Sequence, residues 1–163
     1  MDHGPTFLAS YWPGASFVPP GDVAAEWRAF DVESTLYECG QPNIGCWVML
    51  RDANSGQRLA LRTGPFEVWA MNVALGGREP PRPLTHRAML NTIVALGAAL
   101  NAVRIDRFIP DQHVFHAKLE LRKMGENVLV DVRPSDAITI ALAANVGILV
   151  AKEVVAELAK LGG

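Results

Sequence analysis

The chain has 163 residues, half of them hydrophobic and a fifth charged, with a net charge of −2. That length suits one domain burying about 70% of its unfolded surface, and that composition excludes disorder and a strongly basic nucleic-acid-coating protein. No apolar run approaches the ~20 residues of a membrane helix, the first residues lack a secretory signal's basic start and apolar centre, and Cys39 and Cys46 are too few for a disulfide framework. The expectation is a cytoplasmic protein with no membrane partner.

Residues 1–30 are rich in Gly and Pro and read as an N-terminal extension, with a short helix over Val23–Phe30. The domain is expected over residues 31–163. "DVESTLYE" reads as a strand, and "CWVMLRD" and "QRLALRT" alternate as two more around the turn "ANSG". Cys46, Val48 and Leu50 share one face of the first of these two. Leu59 and Leu61 share a face of the second, with Arg58 and Arg62 opposite.

"GPFEVWAMNVALGG" has the marks of a helix: Gly64 as cap, Pro65 at the first position, Gly76–Gly77 as the stop. Phe66, Trp69, Ala70 and Val73 fall on one stripe of it, expected to be core or a dimer contact. A proline-stiffened connection, "REPPRPLTH", ends at Thr85, the expected N-cap of a helix "HRAMLNTIVALG", with Leu84 stapled against Met89. Strands follow at "NAVRID", "HVFHAKLELRK" and "NVLVDVR", the last two joined by the turn "MGEN". In the middle one, Phe115, Ala117, Leu119 and Leu121 face inward; His116, Lys118, Glu120 and Arg122 face outward. A helix from Ser135 to Asn145, a short strand "ILVA" and an amphipathic helix with Val154, Val155, Leu158 and Leu161 complete a single α+β domain with a largely antiparallel or mixed sheet.

Charge is unevenly spread. Residues 1–50 carry one arginine against six acids, whereas residues 51–87 carry six arginines and three acids. Guanidinium favours forked contacts with phosphate or carboxylate. At the junction "VDVRPSDA", alternation points Asp131 and Arg133 to one side, their Cα atoms about 6.7 Å apart. Arg133 or Ser135 caps the helix that follows, and Asp136 falls in its first turn, where free N–H groups favour negative charge. Two readings are open: Asp131 and Arg133 simply pair while Ser135 and Asp136 cap, or the acids and guanidinium converge to hold a cation and a phosphate.

"GPFE" (64–67), "PPRPLTH" (80–86) and "VDVRPSDAI" (130–138), in this order and spacing, resemble the bifunctional nuclease domain family. The likeness runs from about Asp31 to the terminal helix. It implies a small α+β domain, a homodimer, and nuclease activity on DNA and RNA. The chain departs from the family pattern in Val68 after the glutamate, in the charged "LRTG" before the first helix, and in its first thirty residues.

Phosphodiester hydrolysis needs an activated water and stabilisation of charge on the phosphate oxygens. For a nuclease built on this chain, Asp131, Asp136 and Glu67 are the expected ligands of a divalent cation (Mg²⁺ or Mn²⁺). Arg133, Arg82 and Ser135 contact the nucleic acid, and His86 is the general acid or base, since imidazole titrates near neutrality. His86 bonding a backbone group is the simpler alternative. The rival from another class is a non-catalytic module binding nucleic acid or a protein through its arginines; a small-molecule site built from the same groups is a third.

Overall fold

A computed structural model describes residues 15–18, 27–37, 45–78 and 80–161. Among them are eight strands: β1 Ala15–Val18, β2 Trp27–Tyr37, β3 Cys46–Asp52, β4 Arg58–Thr63, β5 Ala98–Ile109, β6 Val114–Lys123, β7 Glu126–Val132 and β8 Gly147–Ala151. The helices are α1 Pro65–Ala74, α2 Thr85–Ala95, α3 Pro134–Ala144 and α4 Lys152–Leu161. All eight strands join one sheet in the order β1-β7-β6-β5-β8-β2-β3-β4. Neighbours run antiparallel except β5 and β8, which are parallel because α3 carries the chain back across the sheet before β8. The fold is α+β, and no helix among the described residues is long and apolar enough to cross a membrane.

The hairpins form where alternation placed them. β3 pairs with β4 from Cys46↔Thr63 to Arg51↔Arg58. Cys46, Val48, Leu50, Leu59 and Leu61 are buried, and Arg58 and Arg62 exposed. β6 and β7 meet at Met124–Gly125, both with positive φ, as a two-residue hairpin turn requires. One face of the sheet carries Val103, Ile105, Ala117, Leu119, Ile148 and Val150. These pack in a single cluster with Met71 of α1, Ile138 and Ile140 of α3, and Val154 of α4. Residues from distant parts of the chain thus dock α1 and α3 on that face.

Four local expectations change. Trp27–Phe30 is strand, not helix: it pairs with β8 on one side, and Phe30 is 3% exposed in the core. The remainder of that expected helix lies outside the described residues. Pairing with β8 over Trp27–Phe30 and with β3 from Phe30 to Tyr37 engages the backbone of β2, which outweighs a weak helical preference. Extension and domain therefore meet inside β2, and β1 too belongs to the sheet, on β7. Secondly, α1 buries Val68, Ala70 and Met71, while Phe66 is 80% and Trp69 50% exposed. This helix is apolar on most faces, so spacing alone does not choose its inner one. Thirdly, α2 is capped by Leu84, with Thr85 its first residue and Met89 exposed. Finally, Glu120 is not on a solvated face: it is buried with Arg104 beneath Trp27.

Asp52 ties the extension's end to the β3–β4 hairpin. Its Oδ1 accepts from the N–H groups of Asn54 (2.7 Å) and Ser55 (3.1 Å), and its Oδ2 lies 2.7 Å from Arg28 Nε. Burial opposes its ionisation, but these N–H groups and the guanidinium outweigh it and hold the carboxyl below its usual range. A depressed folded value means stability that is present above the unfolded value of about 3.9 and is lost as pH falls through the lower, folded one. Asp52→Asn is expected to cost about 1–3 kcal/mol at pH 7 and less at pH 3, below the unfolded value. Urea unfolding at both pH values measures this; equal losses at the two would overturn it.

Candidate active site

Three helices begin close together because α3 packs against both α1 and α2. α1 follows Gly64 with Pro65 first and Glu67 third; α2 has His86 second; α3 follows Arg133 with Pro134 first and Asp136 third. Proline suits the first position because its missing N–H would have no partner inside the helix. Glu67 and Asp136 each place a carboxylate in a first turn, against the positive end of the helix dipole. α2 has no acid in its first turn.

At these starts four side chains form one bonded series. Arg133 Nε donates to Asp136 Oδ2 (2.7 Å), and Arg133 Nη2 donates to Asp136 Oδ1 (3.0 Å) and to Glu67 Oε1 (2.9 Å). His86 Nε2 lies 2.9 Å from Asp136 Oδ1. The side chains of Glu67, His86 and Asp136 are mostly covered, while that of Arg133 is 67% exposed and roofs the cluster. An ionised carboxylate only accepts, so the proton between His86 and Asp136 sits on Nε2, and in the neutral imidazole Nδ1 keeps the lone pair.

Electrostatics reinforce this arrangement. Burial pushes the Asp136 carboxyl up, but the bonds from Arg133 and His86 outweigh it and hold the group ionised below its usual range. The Arg133 guanidinium is held above its own range, first by Asp136 and then by Glu67. Beside the cluster opens a cleft of about 540 Å³ between α1, the segments 76–77 and 80–84, α2 and α3. His86, Arg82 and Arg87 line it, together with Val73, Leu84 and Thr139.

A histidine held by a mostly covered carboxylate, next to a guanidinium and a cleft, is a proton-transfer and oxyanion-binding arrangement. The model of the bifunctional nuclease domain matches residues 48–161. The chain belongs to the bifunctional nuclease domain family. Similar proteins include two from Mycobacterium tuberculosis, uncharacterized protein MT1877 (strain CDC 1551 / Oshkosh) and uncharacterized protein Rv1829 (strain ATCC 25618 / H37Rv). Each is 38% identical over 117 residues, which cover 72% of this chain and 68% of the relative. The family match starts within β3, so β1 and β2 precede it, whereas all four members of the bonded series fall inside it.

The bifunctional nuclease domain brings together Glu67, His86, Arg133 and Asp136, and Arg82 joins His86 in the lining of the cleft. Arg82 is exposed and has no bonded partner among the described residues. Ser135 contributes its backbone carbonyl, which accepts from Thr139 Oγ1 at 2.7 Å; α3 has no side-chain cap, and Arg133 is the cap residue. Asp131 does not join. Strand alternation sets it opposite Val130 and Val132, which pack toward the core that holds α3, and it is exposed without a bonded partner among the described residues. Arg133 bonds Asp136 and Glu67 instead of Asp131.

The three-carboxylate ligand set expected for Mg²⁺ or Mn²⁺ is therefore not assembled. A guanidinium occupies the space between Glu67 and Asp136, and no three His, Cys, Asp or Glu among the described residues are placed to share an ion. Two supporting groups escaped the sequence reading. Arg87 Nη1 donates to the Ala143 carbonyl at 2.9 Å, fastening α2 to the far end of α3. Gly64 leaves room for the Glu67 carboxylate, which a Cβ there would overlap. Its signal was the glycine three residues before Glu67.

Proposed function

We propose that this protein hydrolyses phosphodiester bonds of DNA and RNA, with His86 as general base, Asp136 as its orienting carboxylate and Arg133 as the group that receives phosphate charge. The observation that carries this reading is the 2.9 Å contact of His86 Nε2 with Asp136 Oδ1 in a histidine that also lines the cleft. Water bound beside Nδ1 gives that nitrogen a proton as its oxygen attacks phosphorus. The bond from phosphorus to the leaving oxygen then breaks, that oxygen takes a proton from solvent, Asp136 stabilises the imidazolium, and Nδ1 returns its proton to solvent to close the cycle. Arg133 exchanges part of its contact with Glu67 for a phosphate oxygen, which its exposure allows. No step is routed through a divalent cation. Cleavage of single-stranded oligonucleotides by wild-type protein but not by Asp136→Asn tests the reading.

The rival is a binding module without turnover. It is favoured by one observation, that both carboxylates are already bonded to Arg133. Oligonucleotide binding that weakens steeply with salt, with no cleavage, would establish it.

The proposal includes a cytoplasmic homodimer. Its support is the apolar surface of Phe66, Trp69, Val94 and Leu96, each at least half exposed. Light scattering is expected to give twice the 17.7 kDa of one chain, and a single-chain mass at micromolar concentration would remove the dimer from this reading.

A further inference from the structure

The cleft has a chemistry of its own. Its volume of about 540 Å³ lies within the range of small-molecule sites. One wall is apolar, formed by Ala70, Val73 and Ala74 of α1, and Leu84 adds to the apolar lining. Among the described residues, the ionisable side chains lining it are Arg82, His86 and Arg87, all bases. Pro80, Pro81 and Pro83 fix the backbone on both sides of Arg82, so the guanidinium hangs from a stiff strap. Arg82 has no bonded partner among the described residues, whereas Arg87 spends one nitrogen on Ala143.

We infer that this cleft binds a nucleoside monophosphate, its phosphate on Arg82 and its base and sugar against the α1 wall. A cleft with an apolar helix wall and, among the described residues, an unpaired guanidinium in its lining suits a ligand having a flat, weakly polar body and a compact anionic end. A free phosphate would leave the wall unused, and a nucleoside would leave Arg82 unpaired. The inference rests on the phosphodiester reading in one respect: His86 belongs to both, so the bound nucleotide is the one next to the bond being cleaved.

Isothermal titration of the full chain with AMP, adenosine and inorganic phosphate decides it. AMP is expected to bind, adenosine and phosphate each to bind at least about tenfold more weakly, and Arg82→Ala to weaken AMP by about tenfold or more, the worth of a charge-assisted hydrogen bond. Arg82→Glu is expected to weaken AMP further while leaving adenosine unchanged. AMP binding no tighter than adenosine, or indifferent to Arg82→Ala, overturns the inference. Phosphate binding as tightly as AMP overturns the nucleoside part of it. The two readings fail separately: AMP bound without oligonucleotide cleavage removes only the hydrolytic function, and cleavage without AMP binding removes only the nucleotide cleft.

Discussion

Asp136→Asn is expected to lower the turnover of a single-stranded oligonucleotide by about 10²–10⁴-fold, the range of a lost general base. Asp136 accepts three bonds through two oxygens: both Arg133 contacts and His86. Asparagine has one acceptor oxygen and one donor nitrogen, so the Arg133 fork and the His86 Nε2–H compete for the single oxygen. When the amide nitrogen faces His86, the imidazole must carry its proton on Nδ1, and the lone pair that would take a proton from water is lost. Arg133 is largely exposed, so breaking its surface pair costs the fold only about 0–1 kcal/mol. Unchanged urea midpoints with collapsed turnover are the expected signature. Asp131→Asn, on the other face of the sheet, is the matched control and is expected to cleave like the wild type. EDTA is expected to leave cleavage standing. A loss on chelation that Mg²⁺ restores, or a rate that Asp136→Asn leaves intact, would overturn the acid–base assignment.

Why the site was only partly legible follows from what a sequence encodes directly. The β3–β4 and β6–β7 hairpins rest on alternation and turns within about twenty residues, so they could be read off. Gly64 and Pro65 likewise marked the start of α1 from its own sequence. The face of α1 could not be read, because Phe66, Val68, Trp69 and Met71 are all apolar and only the sheet decides which of them are covered. His86 and Asp136 are 50 residues apart, and no local pattern states that α2 and α3 begin side by side.

Asp131 is a different kind of case. Val128, Val130 and Val132 alternate with it, and α3 follows the strand directly, so an apolar helix returning over the valines had to leave Asp131 behind. That separation was in the sequence, masked by the nearness of Asp131 to Asp136 along the chain. The partner of Arg133 was hidden for the same reason: at strand spacing Asp131 is its neighbour, but the backbone turns at Pro134 and offers Asp136 instead.

Stability should depend most on a pair that takes no part in the site. Arg104 on β5 and Glu120 on β6 are 6% and 8% exposed, with Arg104 Nε donating to Glu120 Oε2 at 2.6 Å and its guanidinium carbon 5.0 Å from the centre of the Trp27 ring. Arg104→Ala leaves a carboxylate buried without a partner and is expected to cost about 3–5 kcal/mol. It also removes the cation from the face of Trp27, loosening β2, whose Trp27–Phe30 segment holds the extension to β8. By contrast, Arg104→Met combined with Glu120→Leu removes both charges while keeping much of the side-chain volume, and is expected to come within about 1 kcal/mol of the wild type or exceed it. Urea unfolding followed by tryptophan fluorescence measures all three proteins. Because strand alternation puts the pair on the face away from Ile105 and Leu119, against which α3 packs, the double variant should retain full oligonucleotide turnover. A single variant costing less than about 1 kcal/mol would show that water reaches the Glu120 carboxylate and that the pair is not buried in the sense that sets its worth.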